Sequence, residues 1–221
     1  PNTTGATNLR PPHNVTTPNI RVFRLNVCLL VTTTSLNDLG LGYQYVFPSD
    51  KVVQAKSFAD RLNGTTTGNE EPWLIYADEL KAGAYAYGGV TVQVQLQDVS
   101  DNEAVVYNVR PVIQQKRDAV TGPVMGPPGA AEGPHTIWYQ LDRLNSVGKD
   151  NAPDGPPFFT TQRLGITKSN SETLTLKFVA ATAAYDFNIA IDYEVNGQRF
   201  TQMVKQVQGG PDLVLHATGH P

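Results

Sequence analysis

The amino-acid sequence predicts an all-β protein, an antiparallel β-sandwich of Ig-like or jelly-roll-like type with one or two short helices. Apolar residues recur at every second position in several segments, Pro- and Gly-rich loops separate those segments, and no strand–helix alternation typical of a parallel sheet is visible. A chain of 221 residues is long enough to bury a sizeable core. We predict a sandwich domain at 19–215, preceded by a flexible arm or linker at 1–18 and followed by a flexible tail at 216–221.

The arm at 1–18 contains four prolines and few apolar groups, a composition typical of disordered or extended chain. Alternating apolar and polar residues predict the first strand at 23–31, and 32–38 then has the composition of a strand end and a turn. Cys28 lies in this strand and is the only cysteine, so no disulfide within the chain stabilises the fold. We expect Cys28 to be a small buried hydrophobic residue.

Two short helices are predicted after the first strand. Apolar residues at 51–62 recur with the spacing of one helix face, and Asn63-Gly64 is expected to end that helix. At 70–83, acidic residues and a proline mark the beginning of a second helix, and Gly83 is expected to cap its end.

The β pattern is clear from the Gly-Gly pair at 88–89 onward. Val and Leu alternate with Thr and Gln at 90–97, which predicts a strand with one buried and one polar face. A turn is predicted at 98–102. Val105, Tyr107 and Val109 then share one face of a strand that Arg110-Pro111 either ends or places at a sheet edge.

Two long loops and further alternating strands follow. The composition of 121–134 and of 145–157 predicts loops, with an alternating strand at 137–141 between them. The same alternation predicts strands at 174–178 and 187–195.

Asn196-Gly197 predicts a tight β-hairpin, because a type I′ turn needs positive φ at both central residues. In that register Tyr193 faces Phe200, and Glu194 faces Arg199. The first pair is aromatic and the second has opposite charges, and a slip of one residue would lose both.

The composition excludes several classes of partner. Charged residues make up 17% of the chain and its net charge is −3, so no basic surface for nucleic acid is present. No apolar stretch is long enough for direct membrane insertion. Low charge and abundant Thr, Gln and Asn favour a protein that works outside the cytosol.

The sequence contains none of the familiar catalytic or cofactor motifs, so we predict no catalytic, cofactor-binding or metal-binding residues and no enzyme activity. His216 and His220 have i, i+4 spacing, but Gly219 and Pro221 disfavour a helix, and we expect a solvated tail. Asp192 lies two residues from Glu194 on one predicted strand; we interpret this pair as a solvated sheet face rather than as glycosidase carboxylates.

Four aromatic residues are candidates for a binding surface, because exposed aromatic side chains beside Gly/Pro loops can form a binding patch. They are Trp138, Tyr85, Tyr87 and Phe158. Packing in the core or at a sheet edge is the alternative fate of the same side chains.

From about Trp73 onward, several short motifs follow one another in a recognisable order. They are Val105 to Pro111, Thr121-Gly122, Tyr139-Gln140-Leu141-Asp142, Pro157-Phe158-Phe159, Val195-Asn196-Gly197 and Gly209-Gly210-Pro211. In this order they resemble uncharacterised β-sandwich proteins of actinobacteria, which often carry a membrane anchor ahead of the sandwich. The resemblance implies an exported domain without catalytic residues.

Three functional hypotheses remain open at this stage. The first is a non-catalytic binding or structural domain, the exported part of a bacterial surface or membrane-anchored protein, with a binding end at loops 121–136 and 145–159. The second is a virion coat or decoration protein. The third is a carbohydrate-active enzyme or a lectin-like carbohydrate-binding module, in which Trp73, Trp138 and nearby Tyr residues stack on sugars. We expect a protein partner or self-association, including a homo-oligomer, and an extracytoplasmic or virion location.

Overall fold

The protein is represented by a computed structural model that describes residues 29–36, 44–65, 83–125, 136–205 and 211–221. These residues form thirteen strands, two α-helices and one short 3-10 helix. Their bounds are β1 Leu29–Leu36, β2 Tyr45–Val46, 3-10 helix Ser49–Lys51, α1 Val52–Thr65, β3 Tyr85–Tyr87, β4 Gly89–Asp98, β5 Ala104–Asp118, β6 Val124–Met125, β7 Thr136–Gln140, β8 Lys149–Asp150, α2 Phe158–Thr161, β9 Leu164–Ile166, β10 Glu172–Val179, β11 Ala183–Val195, β12 Gln198–Met203 and β13 Leu215–Thr218.

The strands form two sheets. In the first sheet the order is β1-β4-β10-β7-β8. In the second it is β6-β2-β3-β13-β11-β5-β9, and β12 also pairs with β11. The long strand β11 organises the second sheet, since β5 lies along one side of it while β13 and β12 share the other.

Both sheets are mixed, although most of their strand pairs are antiparallel. The parallel pairs are β7 with β10 and β3 with β13. Parallel neighbours need a long connection between them, and both pairs are separated by many residues of chain. The all-β, mostly antiparallel, sandwich-like fold predicted from the sequence is confirmed, with these two parallel pairs in addition.

The inner faces of the two sheets contribute to one hydrophobic core. Val92, Leu176 and Ile191 are all fully buried, as the alternation of apolar residues predicts. Burial of such side chains is worth roughly 1.5–3 kcal/mol each relative to exposure. Alternation therefore predicted the inward face of β4, β10 and β11 correctly.

Helix α1 confirms the first predicted helix and covers one end of the core. Ala55 and Phe58 are buried, and the Phe58 ring lies 5.8 Å from Tyr45 and 5.4 Å from Phe47. The helix continues to Thr65, so the expectation that Asn63-Gly64 ends it is wrong. The second predicted helix, at 70–83, falls almost wholly outside the described residues.

The predicted hairpin is confirmed in its turn and its register. Asn196 and Gly197 have φ angles of 51° and 77°. Tyr193 pairs with Phe200 and Glu194 with Arg199 across β11 and β12.

Three predicted boundaries differ from the structure. Strand β1 occupies 29–36, so most of the segment 32–38, interpreted as a strand end and turn, is strand. Residues 23–28, with Cys28, lie outside the described residues, as does the arm at 1–18. Strand β5 continues through Pro111 to Asp118, so Arg110-Pro111 does not end it; the alternative, a sheet edge, agrees with its pairing to β11 alone, among the described strands, beyond 106. Residues 215–218 form β13 inside the second sheet, so a tail that begins at 216 is wrong.

Candidate functional site

A groove of about 590 Å³ lies along strand β5, opposite the loop that follows β7. We call it the edge groove and define it by thirteen residues. They are Asn108, Arg110, Pro111, Ile113, Lys116, Leu141, Asp142, Arg143, Leu144, Asn145, Ser146, Val147 and Tyr185.

The groove exists because β5 is paired on one side only over most of its length. In the described part of the chain, β9 pairs with β5 only at 104–106, whereas β11 follows β5 to Asp118. Pro111 lies on this open stretch and has no N–H to offer to a neighbouring strand. Residues 113–118 are accordingly exposed.

The side chain of Asp142 anchors the loop that forms the other wall. Its carboxylate accepts hydrogen bonds from the backbone N–H groups of Ala181 and Thr182, at 2.6 and 3.1 Å. It also accepts from the Thr182 hydroxyl at 2.6 Å and from the Tyr185 hydroxyl at 3.1 Å. The loop after β7 is thereby tied to the turn between β10 and β11.

These hydrogen bonds also determine how the two groups titrate. Burial of Asp142 acts to raise its pKa, but the hydrogen bonds that its ionised form accepts outweigh burial, and the pKa is lowered. Burial, together with the hydrogen bond to Asp142, raises the pKa of Tyr185 to about 12. At neutral pH the carboxylate is therefore an acceptor and the phenol a donor.

The tip of the loop presents apolar side chains to solvent. Leu144 is 92% exposed and Val147 is 51% exposed, while Ile113 on the facing strand is 42% exposed. Eight large apolar side chains of the described residues are exposed, and these three border the same groove. Such a concentration is typical of an interaction site rather than of isolated surface residues.

Below the tip, Gly148 allows the loop to approach the core closely. A Cβ atom at this position would lie 2.6 Å from the Tyr139 hydroxyl and 2.7 Å from Cγ2 of Ile137. The loop is further held by Ser146, whose hydroxyl accepts from the backbone N–H of Gln140 at 2.8 Å.

Two cations of the groove have no carboxylate partner among the described residues. They are Lys116 and Arg143, both exposed. Lys116 lies over the ring of Tyr185, with 5.6 Å between Nζ and the ring centroid. Arg110 is neutralised by Asp192, and the Asp142 carboxylate offsets one of these two cations, so the lining keeps a formal charge of +1 in a chain whose net charge is −3.

Arg110, the third cation, is already paired with Asp192. Its Nε lies 3.0 Å from the carboxylate, which also accepts from Asn108 Nδ2 at 2.9 Å and from the Thr201 hydroxyl at 2.6 Å. Burial acts to raise the pKa of Asp192, but its hydrogen bonds from Arg110, Thr201 and Asn108 lower it overall. Because Asp192 is only 7% exposed, its interpretation as a solvated sheet residue is wrong.

A second polar cluster lies on the second sheet, around Asp186. Its carboxylate contacts the Tyr85 hydroxyl at 3.0 Å, Nδ1 of His216 at 2.8 Å, and the Arg117 guanidinium. Burial, reinforced by the Asp186 charge, raises the pKa of Tyr85 to about 12. The cluster joins β3, β5, β11 and β13, which makes it a cross-strand connection.

Tyr87 belongs to the neighbouring pair of side chains. Its hydroxyl lies 2.6 Å from Nδ1 of His220, and the two rings meet edge to face at 4.5 Å. His216 and His220, expected in a solvated tail, are therefore each held by a partner from the second sheet.

Trp138 and Phe158 lie elsewhere in the molecule. Trp138 is in the first sheet, 8% exposed, with the Lys177 ammonium 4.0 Å from its ring centroid. Phe158 begins α2, is half-buried, and packs against the core. The four predicted aromatic residues thus occupy two sheets and one helix, and none of them lines the edge groove.

The sequence interpretation missed most residues of the groove. The loop expected as part of a binding end, 145–159, contributes only its first residues, and the described part of 121–136 pairs with β2 through β6. A usable signal was present in Leu144 and Val147, apolar residues in a segment rich in turn-forming residues.

Two features, a metal-binding cluster and a membrane-spanning helix, are absent from the residues that the structure describes. Within those ranges, no three His, Cys, Asp or Glu side chains are grouped so that they could hold a metal ion. No helix in the described part of the chain has both the length and the apolar character needed to cross a membrane.

Comparison with known protein families, with curated proteins and with solved structures gave no match to this chain. Any functional assignment therefore rests on the fold and on the edge groove.

Proposed function

We propose that the chain is a non-catalytic binding domain that holds a protein partner in the edge groove. The observation that carries the proposal is the convergence of exposed apolar side chains and of cations without a carboxylate partner on one concave surface. Interfaces of this kind combine an apolar centre with charged groups at the rim, which provide affinity and orientation respectively.

The state of the nearby carboxylates supports a binding role over catalysis. Asp142 lines the groove and Asp192 binds Arg110 of its wall, and donors surround both carboxylates. A general acid or base needs a carboxyl group whose proton can be exchanged with a substrate near the working pH. The lowered pKa of each residue opposes that requirement.

The exported location in a bacterial surface protein belongs to the same proposal. It is supported by the low charged fraction of 17% and by the resemblance of the motifs between Val105 and Pro211 to actinobacterial sandwich proteins. The carbohydrate-binding alternative has less support, because stacking on a sugar needs an open aromatic face and Lys177 covers Trp138.

The test is a photo-crosslinking experiment with a photoreactive amino acid at Leu144, carried out in the native host. A matched control places the same group at Val53, which is 80% exposed on α1. We expect one discrete protein adduct from Leu144 and none of that mass from Val53. Equal adducts at both positions, or none at Leu144, would contradict a protein-binding groove.

A further inference from the structure

We propose that the partner of the edge groove is an extended peptide segment that combines acidic with large apolar side chains. This inference rests on the proposed function and specifies the partner's chemistry. Lys116 and Arg143 would contact the acidic side chains, while Ile113, Leu144 and Val147 would contact the apolar ones.

Charge complementarity is the first argument. Asp192 neutralises Arg110, while Asp142, whose donors Thr182 and Tyr185 are neutral, offsets only one of the two remaining cations, so the net charge of the lining stays positive. Lys116 and Arg143 therefore give the groove a positive character that an acidic segment would complement. Such pairs at the rim of an interface mainly steer association and select the partner, and added salt screens them.

The elongated β5 wall of the groove, rather than its volume, favours an extended segment. This wall runs from Asn108 to Lys116, about 26 Å at roughly 3.3 Å per strand residue. About eight residues of extended peptide would match this length. Apolar side chains border the groove on both walls, so a bound chain could bury alternate side chains along it.

The edge of β5 is not suited to accept the peptide as an additional strand. Pro111 lacks an N–H, and the ladder with β11 skips Gln114, which marks a bulge. Lys116, Arg117 and Asp118 then follow on the exposed end of the strand. Proline, bulges and charges are the features that protect sheet edges from strand addition, so we infer recognition through side chains.

An anionic membrane surface fits the groove less well. Recognition of anionic lipid uses clusters of about four to eight basic residues. Two exposed cations without a carboxylate partner, beside three exposed apolar residues, are instead the scale of a short peptide site.

The experiment uses the full chain as bait against a random library of displayed peptides, each about 12 residues long to exceed the groove length. A parallel selection uses the double variant Leu144→Ser/Val147→Ser, and a third uses Val52→Ser/Val53→Ser, which alters two exposed apolar residues of α1. Peptides enriched by the first and third baits but not by the second are dependent on the groove. Circular dichroism confirms that all three baits are folded.

Enriched peptides are then synthesised and their affinity is measured by fluorescence anisotropy. We expect acidic and apolar side chains in the enriched set, and a loss of affinity of about tenfold on either Lys116→Glu or Arg143→Glu. Lys56→Glu changes the net charge equally but lies on the exposed face of α1, and it should leave the affinity unchanged.

The other outcomes separate the two proposals. Groove-dependent peptides without acidic residues would overturn the partner chemistry and leave the binding function standing. Enrichment of the same peptides by the double variant Leu144→Ser/Val147→Ser would overturn both the partner chemistry and the binding function of the groove. Three further results would identify a different occupant of the groove. Phosphatidylglycerol vesicles that bind through Lys116 and exclude the peptides would identify a membrane surface, and dimers that require Leu144 would identify a second copy of the chain. Higher peptide affinity after removal of residues 1–18 would identify that segment as the occupant.

Discussion

The hydroxyl of Tyr139 donates a hydrogen bond to the backbone carbonyl of Val109, with 2.9 Å between the oxygens. Tyr139 belongs to β7 in the first sheet and Val109 to β5 in the second, so this bond crosses the interior of the sandwich. The Tyr139 ring also stacks on Phe178 at 4.9 Å. Burial raises the pKa of Tyr139, which therefore remains a donor at any physiological pH.

Tyr139→Phe should destabilise the fold by about 1–3 kcal/mol, because it removes the donor and leaves a buried carbonyl without it. Urea denaturation measures the change, and Tyr107→Phe, at a half-buried position, is the matched control. Equal stability of Tyr139→Phe and the unaltered chain would show that the carbonyl finds another donor.

Gly148→Ala should lower the free energy of unfolding by about 1–3 kcal/mol through overpacking. The new Cβ would meet the hydroxyl of Tyr139, which cannot move away without loss of its bond to Val109. Thermal unfolding gives the measurement. An unchanged Tm would mean that the loop after β7 can shift outward, so that its packing against Tyr139 does not fix this wall of the edge groove.

The fold was predictable from the sequence where one strand face is buried along its whole length. β4, β10 and β11 meet this condition, and the turn at Asn196-Gly197 adds a local signal that specifies register. Local pattern and tertiary packing agree in these elements.

β5 shows why alternation alone fails. Its ladder with β11 skips Tyr107, so the inward face changes phase: Ala104, Val106 and Val109 are buried, whereas Val105 and Tyr107 are only half-buried. A bulge of this kind depends on the neighbouring strand and has no reliable signature in a single sequence.

The edge groove was not predictable for a related reason. Its walls come from 108–116, from 141–147 and from Tyr185, which only the pairing of distant strands brings together. Aromatic residues were the predicted binding residues, but Trp138 and Tyr85 are buried within their sheets. The residues that border the groove are an ordinary leucine, valine, lysine and arginine.

Gly197→Ala should cost about 1 kcal/mol of stability, since Gly197 has a φ of 77° and residues with a Cβ adopt such angles reluctantly. No atom lies within 4 Å of the added Cβ, so backbone strain alone is tested. Chemical denaturation provides the value. A loss well above that size would indicate that the register between Tyr193 and Phe200 also changes.

Asp142→Asn should weaken the fold in a pH-dependent way. The pKa of folded Asp142 lies below the unfolded value of about 3.9, so its contribution is present above that pH and is lost as the pH falls through the folded-state pKa. At about pH 7 the variant should be less stable by about 1–2 kcal/mol, since an amide cannot replace a carboxylate that accepts four hydrogen bonds.

The difference between Asp142→Asn and the unaltered chain should shrink as the pH falls below the unfolded value of about 3.9 and through the lowered folded-state pKa, where the carboxylate becomes protonated. Urea denaturation over this range gives the measurement, and Asp154→Asn, at an exposed position, is the control. A difference that stays constant with pH would assign the effect to packing rather than to the charge.

Arg110→Met should destabilise the protein by about 1–3 kcal/mol, because it leaves the Asp192 carboxylate, only 7% exposed, with Asn108 and Thr201 as its remaining donors. Asp192→Leu in the same background removes the unpaired charge and should recover part of the loss, as replacement of a whole buried pair often does. A double-mutant cycle of unfolding free energies gives the coupling between Arg110 and Asp192. A coupling near zero would contradict the pairing and would make Arg110 available, with Lys116 and Arg143, as a third cation for the acidic partner.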